Sequence, residues 1–147
     1  MARDEKFEIL EGITSADIAL RIYGVSADDL FRNAGRALVA VMLENPDAVA
    51  LRDAKTITLE NSSLDLLLFN FLDELLFFKD SESLLMAVIS VTIDERNGSY
   101  FLRSEAAGER IDRTRHRFSV DVKAVTMHRL AVEKKKDGWT ATVVLDV

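Results

Sequence analysis

The 147-residue sequence has no cysteine and a single proline, Pro46. Without cysteine there is no disulfide, no thiolate nucleophile and no Cys-based zinc site. That composition suits a reducing compartment, and a cytoplasmic location is expected. Histidine is nearly as scarce. His128 lies in the run Val122 to Leu130 with no acidic neighbour, and His116 falls in an arginine-rich loop and reads as ordinary. Neither G-x-G-x-x-G nor G-x-x-x-x-G-K-[ST] occurs, so no glycine-rich phosphate loop is expected, and no G-x-S-x-G elbow is present. These absences leave an independent hydrolase, kinase or dehydrogenase without support.

Long apolar runs are missing too. The longest, Leu64 to Phe78, is interrupted by Asp65, Asn70, Asp73 and Glu74, which argues against a membrane span. The stretch Met1 to Lys6 is polar and carries no signal core. Basic residues are in deficit, 19 against 25 acidic, giving a net charge of -6. A broad nucleic-acid surface needs the opposite balance. Two local basic patches, Arg110/Arg113/Arg115/Arg117 and Lys134/Lys135/Lys136, read as solvated loop charge flanking strands. Any service to RNA chemistry is expected to run through a protein partner, with RNA contact indirect.

What is present is a core. With 48% hydrophobic residues and the length of one ordinary domain, a packed globule is expected over residues 1–147. Phe7 to Leu10 and Ile18 to Tyr23 read as strands, the second ended by Gly24. Ser26, three residues before Asp29, marks a helix start, and Leu30, Phe31, Ala34, Leu38, Val41 and Met42 form its apolar stripe. Asn45-Pro46 is expected to end that helix. Thr56 to Glu60 reads as a strand. Asn61-Ser62-Ser63 caps a second helix running to about Phe78, whose nearly encircling apolar residues predict the more central, more buried helix. Four strands follow: Leu84 to Asp94, Ser99 to Ala107 across an Asn97-Gly98 turn, about Val120 to Glu133, and Trp139 to Asp146. The order β-β-α-β-α-β-β-β-β predicts a single two-layer α+β domain, two helices packed on mainly antiparallel β-sheet.

Carboxylates are the chemically suggestive group. Asp17 starts a strand after a Thr-Ser-Ala turn, Asp80 follows the second helix, and Asp146 closes an otherwise apolar strand. Negative charge concentrated at the end of an apolar strand is costly unless solvent or a cation neutralises it. Oxygen-only ligands suit hard cations, Ca²⁺ or Mg²⁺ before zinc. Most of the 25 acidic residues must nonetheless be solvated surface, and the wide separation of Asp17 and Asp146 in sequence leaves a shared site open.

Several blocks, in order and at matching spacing, resemble the archease family over essentially the whole chain. They are Phe7-Glu8, Thr14-Ser15-Ala16-Asp17, Tyr23-Gly24 with Asp29-Leu30-Phe31, and Phe71-Leu72-Asp73-Glu74-Leu75-Leu76-Phe77. Asp121 to Thr126 and the terminal Val144-Leu145-Asp146-Val147 complete the set. The resemblance implies a non-catalytic accessory protein that activates the RtcB-type RNA ligase of tRNA splicing, promoting its guanylylation and multiple turnover. It also implies a metal site on Asp17, Asp146 and the main-chain oxygen of Val147, with Asp80 as a further candidate. Ca²⁺ is the implied ion, with Mg²⁺ or Mn²⁺ as alternatives. Lys123 corresponds to the family's functional lysine, a contact for the partner or for phosphate. Thr14 stands where many members have histidine. The alternatives are a stand-alone metal-dependent hydrolase on the same carboxylates, or a chaperone-like binding module for RNA-processing proteins.

Overall fold

Seven strands form two wholly antiparallel sheets in the computed structural model, which describes residues 6–10 and 16–147. The strands are β1 (Phe7–Leu10), β2 (Asp17–Gly24), β3 (Asp53–Asn61), β4 (Leu84–Arg96), β5 (Ser99–Arg110), β6 (Ala124–Lys135) and β7 (Gly138–Asp146). One sheet has the order β1-β2-β7-β6 and the other β3-β5-β4. Two helices, α1 (Ala27–Met42) and α2 (Leu64–Glu82), each touch both sheets. The expected α+β class and element order hold, with the strands divided between two sheets.

Local chemistry explains the element ends. Ser26 Oγ accepts the Asp29 N–H at 3.1 Å while Asp29 Oδ2 accepts the Val25 N–H at 3.0 Å. This is a reciprocal cap that satisfies two backbone donors at the start of α1. Ser63 Oγ caps α2 with a single bond, accepting the Leu66 N–H at 3.3 Å. Asp65, in the first turn of α2, accepts the Val132 N–H of β6 and so ties helix to strand. Asn97 and Gly98 both have positive φ, 53° and 78°, the geometry of a tight two-residue hairpin turn between β4 and β5.

Three expectations need correction. Pro46 does not end α1. The chain leaves the helix earlier, at Leu43, because residues 42–44 pair with residues 117–119: Ser119 N–H donates to Met42 O and Glu44 N–H to Arg117 O. Pro46 instead opens a short 3₁₀ turn, Pro46–Ala48. The strand expected from about Val120 also starts later: β6 runs Ala124–Lys135, after residues 117–119 have paired with the end of α1.

The third correction concerns burial. α1, not α2, is the more deeply buried helix. The whole expected stripe of α1 is in the core, and Gly35 lets the helix approach β4 so closely that a Cβ there would lie 2.5 Å from Val88 Cγ2. α2 buries Leu67, Leu68, Phe71, Leu72, Leu75 and Leu76 but leaves Leu66 and Phe77 exposed, 38% and 54%. A full apolar coat therefore overstates the burial of α2. The rings of Phe31 and Phe71 meet at 6.1 Å between centroids, where the helices join in one continuous core. Burying a side chain of this size contributes about 1.5–3 kcal/mol. Among the described residues, no helix is long and apolar enough to cross a membrane.

Candidate functional site

Alternation along β2 and β7 sets the direction of the two carboxylates singled out in the sequence. Leu20, Ile22, Val143 and Leu145 are in the core, so the intervening positions face the other side of the sheet. Asp17 and Asp146 occupy those positions and are direct cross-strand partners. Side chains so paired share a face, with Cβ atoms about 4.5–5.5 Å apart, and like charges there repel. Both residues are half-buried, which limits relief by solvent.

The ladder gathers further groups. Val147 N–H donates to Ala16 O at 2.9 Å, keeping Val147 beside the start of β2. On the other flank Ala124 pairs with Asp146, and Lys123 N–H donates to Asp146 O at 2.8 Å. Asp17, Asp146, Val147 and Lys123 therefore share one corner. Lys123 is exposed.

Asp80 belongs to a different arrangement. It is exposed, and Lys79 Nζ lies 2.9 Å from its Oδ1 and 2.8 Å from Asp121 Oδ1. The Lys79 side chain is itself only 7% exposed. Burial pulls its pKa down, but the bonds to Asp121 and Asp80 outweigh this and hold it above the ordinary lysine value. Asp80 thus has an ammonium partner, Lys79, which also holds Asp121, two residues before Lys123. Lys79 and Asp121 escaped sequence reasoning because their pairing joins the end of α2 to a loop distant in sequence. Thr14 lies outside the described residues.

The donors expected to hold a cation here are all oxygen: two carboxylates and the main-chain oxygen of Val147. That set fits a hard cation such as Ca²⁺, Mg²⁺ or Mn²⁺ completed by water, and does not fit zinc in a thiolate or imidazole site. Among the described residues, no group of three or more His, Asp or Glu side chains is placed to hold a metal.

A second polar cluster, read from sequence as ordinary, is built into the fold. His116 is 1% exposed. Its Nδ1 accepts the Asp112 N–H at 2.9 Å, which places the ring proton on Nε2, 2.8 Å from Glu109 Oε2. Glu109 also accepts both guanidinium nitrogens of Arg115, at 2.9 and 2.8 Å, and the Ala50 N–H at 2.8 Å. Arg115, then the Ala50 N–H, outweigh burial and with His116 hold this carboxyl well below the usual carboxylate range. In return Glu109 raises the pKa of Arg115.

The arginine patch is therefore not simply solvated charge. Arg115 bonds Glu109 and Ala48 O, Arg113 sits over the Phe118 ring at 4.4 Å, and Arg117 Nε lies 3.6 Å from Glu44. Asn45 joins in, donating to Arg115 O and accepting the Arg117 N–H. Residues 115–117 are fastened in this way to the segment after α1. With its carboxylate and imidazole fully engaged, the cluster has a positioning geometry and no spare base. The signal in sequence was Glu109 followed within seven residues by Arg115 and His116.

Comparison with known proteins relates the chain to one family. The model of the Archease protein family (MTH1598/TM1083) matches residues 7–147. A protein archease of Pyrococcus abyssi is 36% identical over 134 residues, covering 90% of this chain and 94% of its own. One from Methanosarcina barkeri is 31% identical over 147 residues, covering 99% of each. The solution structure of Methanobacterium thermoautotrophicum protein 1598 superposes with a TM-score of 0.82 at 31% identity, over 97% of this chain and 99% of that one. A Thermotoga maritima crystal structure, described as an archease and possible chaperone, has a TM-score of 0.57 at 18% identity over 95% of this chain and 98% of that one, and supports the fold alone.

Proposed function

Since the chain belongs to the archease family, we propose that it is a non-catalytic accessory protein of an RtcB-type RNA ligase, acting in cytoplasmic tRNA splicing. In this reading it promotes ligase guanylylation and repeated turnover through a divalent cation, Ca²⁺ with Mg²⁺ or Mn²⁺ as alternatives, held at the Asp17–Asp146 corner. The carrying observation is the direct cross-strand pairing of Asp17 with Asp146, with Val147 alongside. Two carboxylates on one face attract a cation and leave part of its coordination shell open. Such an ion, or the negative patch itself, is suited to meeting a ligase's active-site mouth.

Lys123 stands at the edge of the same corner and supplies a mobile positive charge for a phosphate or an acidic group of the partner. The non-catalytic part of the reading is supported by how the two histidines are placed among the described residues. His116 is locked between Asp112 and Glu109, and His128 is exposed on β6. The test is guanylylation of an RtcB-type ligase under limiting enzyme, with wild type, Asp146→Asn or Lys123→Ala. Both variants are expected to lose most of the stimulation while remaining folded. Wild-type stimulation by both would overturn the assigned roles.

A further inference from the structure

The strand that borders the Asp17–Asp146 corner is broken by an outsized bulge. β6 is the last strand of its sheet and pairs with β7 alone. Thr126 pairs with Val144 and Ala131 with Thr142, so four residues of β6, Met127 to Leu130, stand against the single residue Val143. An ordinary bulge sets two residues against one.

Both necks of the bulge are tied. At one, Thr126 Oγ1 donates to Val144 O at 2.9 Å and accepts the His128 N–H at 3.3 Å. At the other, Asp65 of α2 accepts the Val132 N–H at 3.0 Å. Between them Arg129 has a φ of 56°, in the left-handed region that favours glycine over any longer side chain. Backbone strain of this kind collects at functional sites.

Protection of a free sheet edge explains less than this. Asp65 already occupies the Val132 N–H, and one extra residue or one charge is enough to blunt an edge. The bulge instead presents side chains. Met127 is 58% exposed, and His128 and Arg129 are exposed beside it. Neither His128 nor Arg129 makes an ion pair among the described residues.

Its position ties the bulge to the corner. Ala124 lies opposite Asp146 and shares its face of the sheet, and Met127 follows three steps later, about 10 Å at about 3.3 Å per residue. A stable protein interface covers about 800 Å² of each partner, a disc of about 16 Å radius. A footprint of that size centred on the corner takes in the bulge. With a net charge of -6 on the chain and a methionine at its tip, the surface fits a protein and not a phosphate backbone.

We propose that the β6 bulge is the docking contact for the ligase, an inference that rests on the function proposed above and names the surface by which that partner is held. The complementary surface is an apolar depression that takes Met127, with a carboxylate at its rim for Arg129. An unbranched, polarizable methionine adapts to such a depression, and a guanidinium fork pairs with a carboxylate through two hydrogen bonds. The corner acts on the ligase's chemistry, and the bulge sets the affinity.

The experiment measures ligase guanylylation, without RNA, as the concentration of the full chain is raised. Arg129→Gly removes the guanidinium and suits the left-handed backbone, so it is expected to fold at least as well as wild type. Met127→Ala truncates an exposed side chain. Each is expected to raise the concentration for half-maximal stimulation about fivefold, and the double variant at least about tenfold, with the plateau unchanged. Asp146→Asn is expected to lower the plateau instead. Val25→Ala, beyond Gly24 and so more than about 23 Å along β2 from Asp17, is expected to match wild type. Wild-type half-maximal concentrations in both bulge variants, or a fall in plateau alone, would overturn the docking role and leave the corner standing. An equal shift from Val25→Ala would overturn it too. No stimulation by wild type at any concentration would overturn the functional reading, and this inference with it.

Discussion

Asp17 and Asp146 stand opposite each other across the β2–β7 ladder, at positions that put both carboxylates on the face turned away from the core. Like charges in direct cross-strand register destabilise a sheet by about 0.2–1 kcal/mol. In a chelator-treated sample Asp146→Asn should therefore be as stable as wild type or more stable, by up to about 1 kcal/mol. Chemical denaturation without divalent metal checks this. A clear loss of stability would mean that the carboxylates serve the fold and not a ligand.

Glu109 makes a prediction about acid. Its carboxyl is held low chiefly by Arg115, so the unfolded chain binds a proton at a higher pH than the folded one. The stability this contributes is complete above the ordinary glutamate value of about 4.3 and is lost as pH falls from there toward the depressed folded value. Glu109→Gln should be less stable than wild type at neutral pH, and the gap should narrow on acidification below about pH 4. Denaturation midpoints measured across that range decide it. A gap that stays constant or widens would show that Glu109 is not held by its cationic partner.

The close approach of α1 to β4 is equally testable. Gly35→Ala would place a methyl 2.5 Å from Val88 Cγ2, so the helix or the strand must shift. A loss of about 1–3 kcal/mol is expected. Gly35→Ala combined with Val88→Ala should recover part of it. Comparable stability of Gly35→Ala and wild type would contradict the packing described here.

The relative burial of the helices gives a paired measurement. Phe31→Ala in α1 should cost about 3–5 kcal/mol, whereas Phe77→Ala in α2, half exposed, should cost well under that. Similar losses would restore α2 as the more central helix.

Much of the fold was legible because local rules decided it. The Asn97-Gly98 hairpin, the Ser26 and Ser63 caps and the apolar stripe from Leu30 to Met42 each depend on residues close in sequence. What was misread depends on distant partners. α1 stops at Met42 because residues 117–119 compete for the chain, which no local window reveals. His116 looked ordinary because Glu109, Arg115 and Asp112 become its neighbours only once the loop is folded. For the candidate site, the residues themselves drew attention to Asp17 and Asp146 as oxygen donors, and family likeness, not spacing, joined them into one site and added Val147 and Lys123. Their gathering is a matter of strand register, and Asp80, the further candidate, pairs with Lys79.

The most direct test of the corner is thermal stability as a function of Ca²⁺ concentration, for wild type and for Asp146→Asn. An ion bound only by the native state stabilises it by mass action, about 2.7 kcal/mol when free ion is 100 times its Kd. Wild type is expected to gain melting temperature steadily with Ca²⁺, and Asp146→Asn to gain little. Identical responses of the two proteins, or no response in either, would contradict a cation held between these strands.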